Sequence, residues 1–326
     1  MVDRSIVKYP QAMLGHSMNP LRPFIEYQGF AMLDGGLSTQ LERIGADLSG
    51  ELWTSRVLLD RPDLVETAHR QFLEGGADII ATATYQASVE GFVRAGLGAD
   101  EAAKLIQEAV HIAIKARDRF WADPINREGR LHPLVAASLG PYGACLHDGS
   151  EYHGEYGLGK TELVDFHRPR IALLEDAGAD LFAFETIPSM LEAMAILEVL
   201  DEFPAISAWI SFSCRDELHV AHGESFADCA ELVAGAGQIL AVGVNCTAPE
   251  NIPSLLQSAQ GVRLPMAAYP NSGEYWDAAA QQWGGQACDS MAVGEWARLG
   301  ARLIGGCCRT NANDIRGMRA RLIQAC

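Results

Sequence analysis

Along the chain, short apolar segments rich in β-branched and aromatic residues alternate with longer stretches whose apolar side chains recur every three or four positions. The short segments predict strands over residues 30–33, 78–84, 133–139, 180–185, 205–213, 239–245, 264–269 and 302–304. The longer ones predict helices over 62–74, 100–121, 161–177, 189–200, 226–234, 249–257, 291–299 and 313–323. Strands alternating with helices imply parallel βαβ units, and eight of them match a (β/α)8 TIM-type barrel, a fold of about 250 residues before insertions. An open doubly wound sheet is the alternative, but the G-x-G-x-x-G phosphate turn expected after its first strand is absent. Gly-Ala-Asp recurs at Gly76-Ala77-Asp78 and Gly178-Ala179-Asp180, each before a strand, where glycine would close the preceding helix in a left-handed conformation. Residues 142–159 form the longest loop, expected after the third strand on the catalytic face.

The 326 residues are 48% hydrophobic, enough to bury a large core. No linker or low-complexity tract interrupts them, so one domain over 1–326 is expected, with 1–18 a flexible N-terminal segment. A net charge of −17 argues against nucleic acid or an anionic membrane as partner, since both demand clustered Lys and Arg. No apolar run reaches the roughly 18 residues of a membrane span, and the N-terminus lacks the apolar stretch of a secretory signal. A cytoplasmic monomer is therefore expected. Eight cysteines in a chain of this length do not suggest the disulfide scaffold of a small secreted domain. In a reducing compartment, their placement points to metal or catalysis.

Three of them fall at strand ends, where such barrels keep their active sites. Cys246 follows the sixth strand in Gly243-Val244-Asn245-Cys246, and Cys307 and Cys308 follow the eighth in Gly305-Gly306-Cys307-Cys308. Adjacent residues of a regular strand point to opposite faces, so both Cys307 and Cys308 can bind one ion only if the backbone leaves the pleat. Gly305-Gly306 would supply that freedom. Zinc accepts three thiolates in a tetrahedron and leaves the fourth position for substrate. A lone cysteine is ordinarily core, and a redox-active dithiol is the other reading of the Cys307-Cys308 pair. Cys145, Cys214, Cys229, Cys288 and Cys326 carry no ligand spacing, and no histidine pattern suggests a ligand.

These motifs, with Asp34-Gly35-Gly36 after the first strand and Tyr269-Pro270-Asn271-Ser272-Gly273-Glu274 after the seventh, resemble the homocysteine S-methyltransferases from about Asn19 to about Arg319. Ser138-Leu139-Gly140-Pro141-Tyr142-Gly143 and Phe166-His167-Arg168-Pro169-Arg170 look like the bacterial branch that uses S-methylmethionine. The resemblance implies zinc on Cys246, Cys307 and Cys308, with homocysteine's sulfur completing the site. It implies that Asp34 and Glu185 hold the α-amino group. Gly35, Gly36, Asn245, Asn271, Ser272 and Gly273 would complete the amino-acid wall. A carboxylate closing a barrel strand suits an ammonium through a charge-assisted hydrogen bond. Tyr85 would line the donor side, and Tyr85, Tyr275 and Trp276 could face a sulfonium cation. His153 and His167 are suggestive by location alone. The expected donor is S-methylmethionine, with S-adenosylmethionine second. Betaine or another donor, or a zinc or redox dithiol barrel without methyl transfer, is the alternative.

Overall fold

The computed structural model describes residues 19–48, 53–146, 148–277, 282–288 and 291–325. The segment 1–18, Cys326 and the side chains of Tyr275 and Trp276 lie outside the described residues. One sheet holds eight parallel strands: β1 (Ala31–Met32), β2 (Ile79–Ala81), β3 (Leu134–Leu139), β4 (Leu181–Ile187), β5 (Ala208–Phe212), β6 (Ile239–Asn245), β7 (Met266–Tyr269) and β10 (Ala301–Ile304). A small antiparallel hairpin, β8 (Tyr275–Asp277) with β9 (Gln282–Gly284), interrupts the connection from β7 to β10. In the sheet, β1 pairs with β10, followed by β7, β6, β5, β4, β3 and β2. A parallel bridge between Leu33 and Ile79, with the Asp78 N–H donating to the Met32 carbonyl at 2.7 Å, joins the first strand to the last. The expected barrel is thereby formed.

Period-two alternation divides the strand residues between two cores. Leu33, Ile79, Leu181, Trp209, Tyr269 and Leu303 pack with the alanines 31, 136, 183, 241 and 267 inside the barrel. Their neighbours, among them Met32, Ile80, Val135, Phe184, Phe212 and Val244, pack outward with the helices. The interior alanines make room for Trp209, whose indole N–H donates to the Tyr269 hydroxyl at 3.0 Å. Burying side chains of this size contributes about 1.5–3 kcal/mol each. Close approach of β6 to β7 requires Gly243, because a Cβ there would lie 2.0 Å from the Ala267 carbonyl oxygen.

Both Gly-Ala-Asp motifs act as helix stops, with φ of 108° at Gly76 and 90° at Gly178. Their aspartates also pin the preceding strands. Asp78 accepts from the Met32 N–H at 2.9 Å, and Asp180 from the Val135 N–H at 2.7 Å. The second strand is shorter than the apolar pattern predicts. Beyond Ala81 the hydroxyls of Thr82 and Thr84 bond the Ser138 backbone at 3.0 and 2.6 Å, replacing ladder contacts, and the chain turns at Tyr85. Helices Arg22–Gln28, Leu37–Arg43, Trp53–Asp60 and Val89–Arg94 occupy stretches that the periodicity leaves as connections.

Candidate metal and substrate site

The ends of β6 and β10 bring three sulfurs together. The Sγ atoms of Cys246, Cys307 and Cys308 all lie within 4.8 Å of one another, with Cys246 and Cys308 at 3.6 Å. Cys246 leaves its strand in a left-handed conformation, φ 49°, which turns its thiol toward the β10 loop. The glycine pair before Cys307 acts differently from the expectation. Neither Gly305 nor Gly306 has a positive φ; a Cβ on Gly305 would come within 2.7 Å of the Asp34 carbonyl, and one on Gly306 within 2.2 Å of Thr310 Oγ1. Their function is close approach, and the left-handed turn falls instead on Arg309, φ 63°. Hydrogen bonds from the Cys246 and Cys308 thiols hold the Cys307 thiol far below its ordinary pKa, while Cys246 and Cys308 are pushed up in exchange. Cys307 and Cys308 keep part of their surface exposed, and Cys246 is buried.

Asp34-Gly35-Gly36 lies flush against the same loop. The Gly306 N–H donates to the Asp34 carbonyl at 3.1 Å and the Gly36 N–H to that of Thr310 at 3.0 Å, and a Cβ on Gly36 would meet the Cys307 carbonyl at 2.6 Å. The Asp34 carboxylate accepts from the Ala81 N–H at 2.8 Å. Burial raises its pKa well above the usual range, with Glu185 and Cys307 adding to the rise. Glu185, within β4, is likewise pushed by burial to about 7, although it accepts a short hydrogen bond from Ser138 Oγ. No ion pair among the described residues reaches either carboxylate. Two acids and three thiols therefore share one mouth, without a compensating cation among the described residues.

Asn245, expected in the substrate wall, is 1% exposed, with its amide committed to the protein. Its Oδ1 accepts from the Thr186 N–H at 2.7 Å and Ser211 Oγ at 2.9 Å, and its Nδ2 donates to Thr186 Oγ1 at 2.8 Å and toward Cys307 Sγ at 3.8 Å. Asn271, Ser272 and Gly273 cross over the β10 loop: the Ser272 N–H donates to the Cys308 carbonyl at 3.1 Å, and Gly273 holds φ 106°. The buried Asn271 Oδ1 has no partner among the described residues. Tyr85 is half-buried, its ring packed so closely on Gly140 that a Cβ there would lie 2.7 Å from it. His167 is fully buried and pairs with Glu192 at 2.9 Å, beneath the loop that begins at Tyr142, and His153 accepts from the Glu155 N–H at 3.1 Å.

The sequence profile described as Homocysteine S-methyltransferase matches residues 31–322. The chain belongs to this family. It is 45% identical to homocysteine S-methyltransferase YbgG of Bacillus subtilis, covering 93% of this chain and 98% of that one. The Escherichia coli homocysteine S-methyltransferase is 43% identical, with 93% and 98% covered. The crystal structure of the homocysteine methyltransferase MmuM from Escherichia coli in its metallated form superposes with a TM-score of 0.82 at 41% identity, covering 93% of this chain and all of that one.

Several groups in this homocysteine S-methyltransferase mouth escape a reading of motifs. Thr186 has φ 64°, a strained conformation for a β-branched residue, held by its two bonds to Asn245. Tyr152 comes from the long loop after β3, and its hydroxyl lies 3.7 Å from Cys246 Sγ. Among the described residues, the only non-glycine positive φ values are those of Thr186, within β4 where its pairing with β5 shifts register, Cys246, directly after β6, and Arg309, in the loop after β10. A positive φ at threonine, cysteine or arginine leaves no mark in the sequence, and nothing local signals that Tyr152 reaches back to β6.

Proposed function

We propose that this enzyme transfers a methyl group from S-methylmethionine to homocysteine, with S-adenosylmethionine a poorer donor, and that its metal is zinc. The observation that carries the reading is the three-thiol cluster of Cys246, Cys307 and Cys308 beside two uncompensated carboxylates. The cluster suits the ion: two thiolates about 2.3 Å from one tetrahedral centre stand roughly 3.8 Å apart, and Cys246 and Cys308 are 3.6 Å apart without it. Bound there, zinc would keep the acceptor's sulfur ionised at neutral pH, where a free thiol is mostly protonated. Three thiolates keep such a site electron-rich, which favours a sulfur nucleophile over polarisation of a carbonyl.

The protein's remaining work is positioning. Asp34 and Glu185 receive the acceptor's ammonium, supplying the cation that both lack. Asn245 acts through Cys307 and Thr186 as a positioning residue. Gly35, Gly36 and the Asn271-Ser272-Gly273 crossing pack against the Cys307-Cys308 loop and its neighbours and so form the wall on the amino-acid side, and Tyr85 borders the donor. The acceptor sulfur attacks the methyl carbon in line; a new C–S bond forms as the old one breaks. The electron pair stays on the donor sulfur, which leaves as a neutral thioether, and the thiol proton goes to solvent. With S-methylmethionine both products are methionine. Holding the two reactants in line is worth about 7–11 kcal/mol of the barrier. A cytoplasmic setting belongs to the same proposal, because the seven cysteines among the described residues are free.

The test is a metal assay of purified, reduced protein, paired with methionine formation from homocysteine and each donor. About one zinc per chain, with turnover on S-methylmethionine that chelation abolishes, is the expected result. Metal without turnover on either sulfonium would redirect the donor to betaine. Neither metal nor turnover would return Cys307-Cys308 to a redox role.

A further inference from the structure

A buried carboxylate that the scheme above leaves unused lies in the loop after β3. Glu151 is 9% exposed, and its Oε2 has no hydrogen-bond partner. No ion pair among the described residues reaches it. Its position is fixed by the backbone around it. Ser213 Oγ donates to the Glu151 carbonyl at 3.2 Å, Ser150 Oγ bonds Asp148 at 2.6 Å, and the Gly154 N–H closes on the Ser150 carbonyl at 2.8 Å. Gly143 packs so tightly beneath this turn that a Cβ would meet the Glu151 nitrogen at 2.5 Å. The next residue, Tyr152, places its hydroxyl 3.7 Å from Cys246 Sγ. Burial raises the Tyr85 pKa, and the Glu151 charge adds to that rise. Through its neighbour Tyr152, this turn of the strand-three loop thus borders the cysteine mouth.

An unpartnered buried carboxylate is costly, and a fold retains one where a ligand completes it. We infer that Glu151 binds the ammonium group of the methyl donor, and so selects donors that are amino acids. This rests on the sulfonium-donor reading above and assigns that donor a partner. A sulfonium centre carries positive charge but no N–H or O–H, so it cannot satisfy Oε2. An α-ammonium carries three donors and can. Asp34 and Glu185 then serve the acceptor, and Glu151 the donor, keeping the two amino acids at separate carboxylates.

The experiment compares wild type with Glu151→Gln, which keeps the shape and removes the charge. S-methylmethionine is the test donor. Dimethylsulfonioacetate, a sulfonium with a carboxylate and no ammonium, is the control, used as substrate or as competitor. The variant should raise the KM for S-methylmethionine by about 10- to 100-fold, the range of a lost charge-assisted hydrogen bond. The KM for homocysteine and the KM or Ki of dimethylsulfonioacetate should stay within about threefold of wild type. An equal loss for both sulfonium compounds would overturn the inference, making Glu151 a general electrostatic or structural group. A rise confined to the homocysteine KM would overturn it too and move Glu151 to the acceptor. Wild-type enzyme that turns over neither sulfonium would instead refute the donor reading itself.

Discussion

Glu185→Gln should strengthen the fold while weakening the enzyme, and the two effects can be measured separately. Burial lifts the Glu185 pKa from 4.5 to about 7. In the unfolded chain this carboxyl ionises as pH passes about 4.5, whereas in the folded, metal-free protein it resists ionising until about 7. Stability is therefore lost as pH rises through that window, and the cost is complete above it. At about 1.4 kcal/mol per pKa unit the penalty is about 2–3 kcal/mol, allowing for the part of the side chain that faces the open mouth. Glutamine removes the penalty and can still accept from Ser138 Oγ. For 326 residues, with an unfolding entropy near 2.1 cal/mol/K per residue, this corresponds to a Tm gain of about 3–4 °C at pH 8. At pH 4.5 the gain should vanish, because wild-type Glu185 is then neutral in the fold. The assay is thermal melting of reduced, metal-free protein at both pH values, alongside homocysteine KM for the zinc-loaded enzyme at pH 8. That KM should rise by about 10-fold or more with zinc content unchanged. A variant no more stable at pH 8 than wild type would refute the burial argument, and an unchanged homocysteine KM would remove Glu185 from the ammonium site.

Two further substitutions probe the cluster and its support. Cys307→Ser should lose metal and turnover together, since a hydroxyl replaces one of the three clustered sulfurs; elemental analysis beside the methionine assay checks this, and full activity without metal would be incompatible with the mechanism. Asn245→Ala leaves the Thr186 backbone N–H without an acceptor, leaves Ser211 Oγ to the Tyr269 hydroxyl alone, and releases Cys307. Expected are a stability loss of about 2–3 kcal/mol in urea and a metal affinity lower by about 10- to 100-fold, whereas intact metal affinity would show that Cys307 needs no such support.

The barrel was legible because parallel strands in βαβ units write themselves as short apolar runs between helical periods, and each run shows its length and order locally. The cysteines stood out because Gly305-Gly306-Cys307-Cys308 and Asn245-Cys246 lie at strand ends, where the fold class alone predicts chemistry. The limits of that reading are equally specific. Gly305 and Gly306 could be recognised as important but not why, since the answer is Leu33, Asp34 and Thr310 pressing on them from distant parts of the chain. The resemblance places Asn245 in the substrate wall, and nothing nearby in sequence shows that Thr186 and Ser211 bond its amide.

Sequence by itself therefore determined the architecture and the identity of the three clustered sulfurs, which depend on periodicity and on residue type at a strand end, both local properties; the acids at the first and fourth strands were singled out by the family resemblance. Only the tertiary structure decided which carboxylates lack a cation, that Tyr152 folds back toward Cys246, that Glu151 Oε2 is left without a partner, and that left-handed backbone falls on Thr186, Cys246 and Arg309. Those facts concern pairing and desolvation between segments far apart in the chain, and they arise only when the closed barrel brings its strand ends to one mouth.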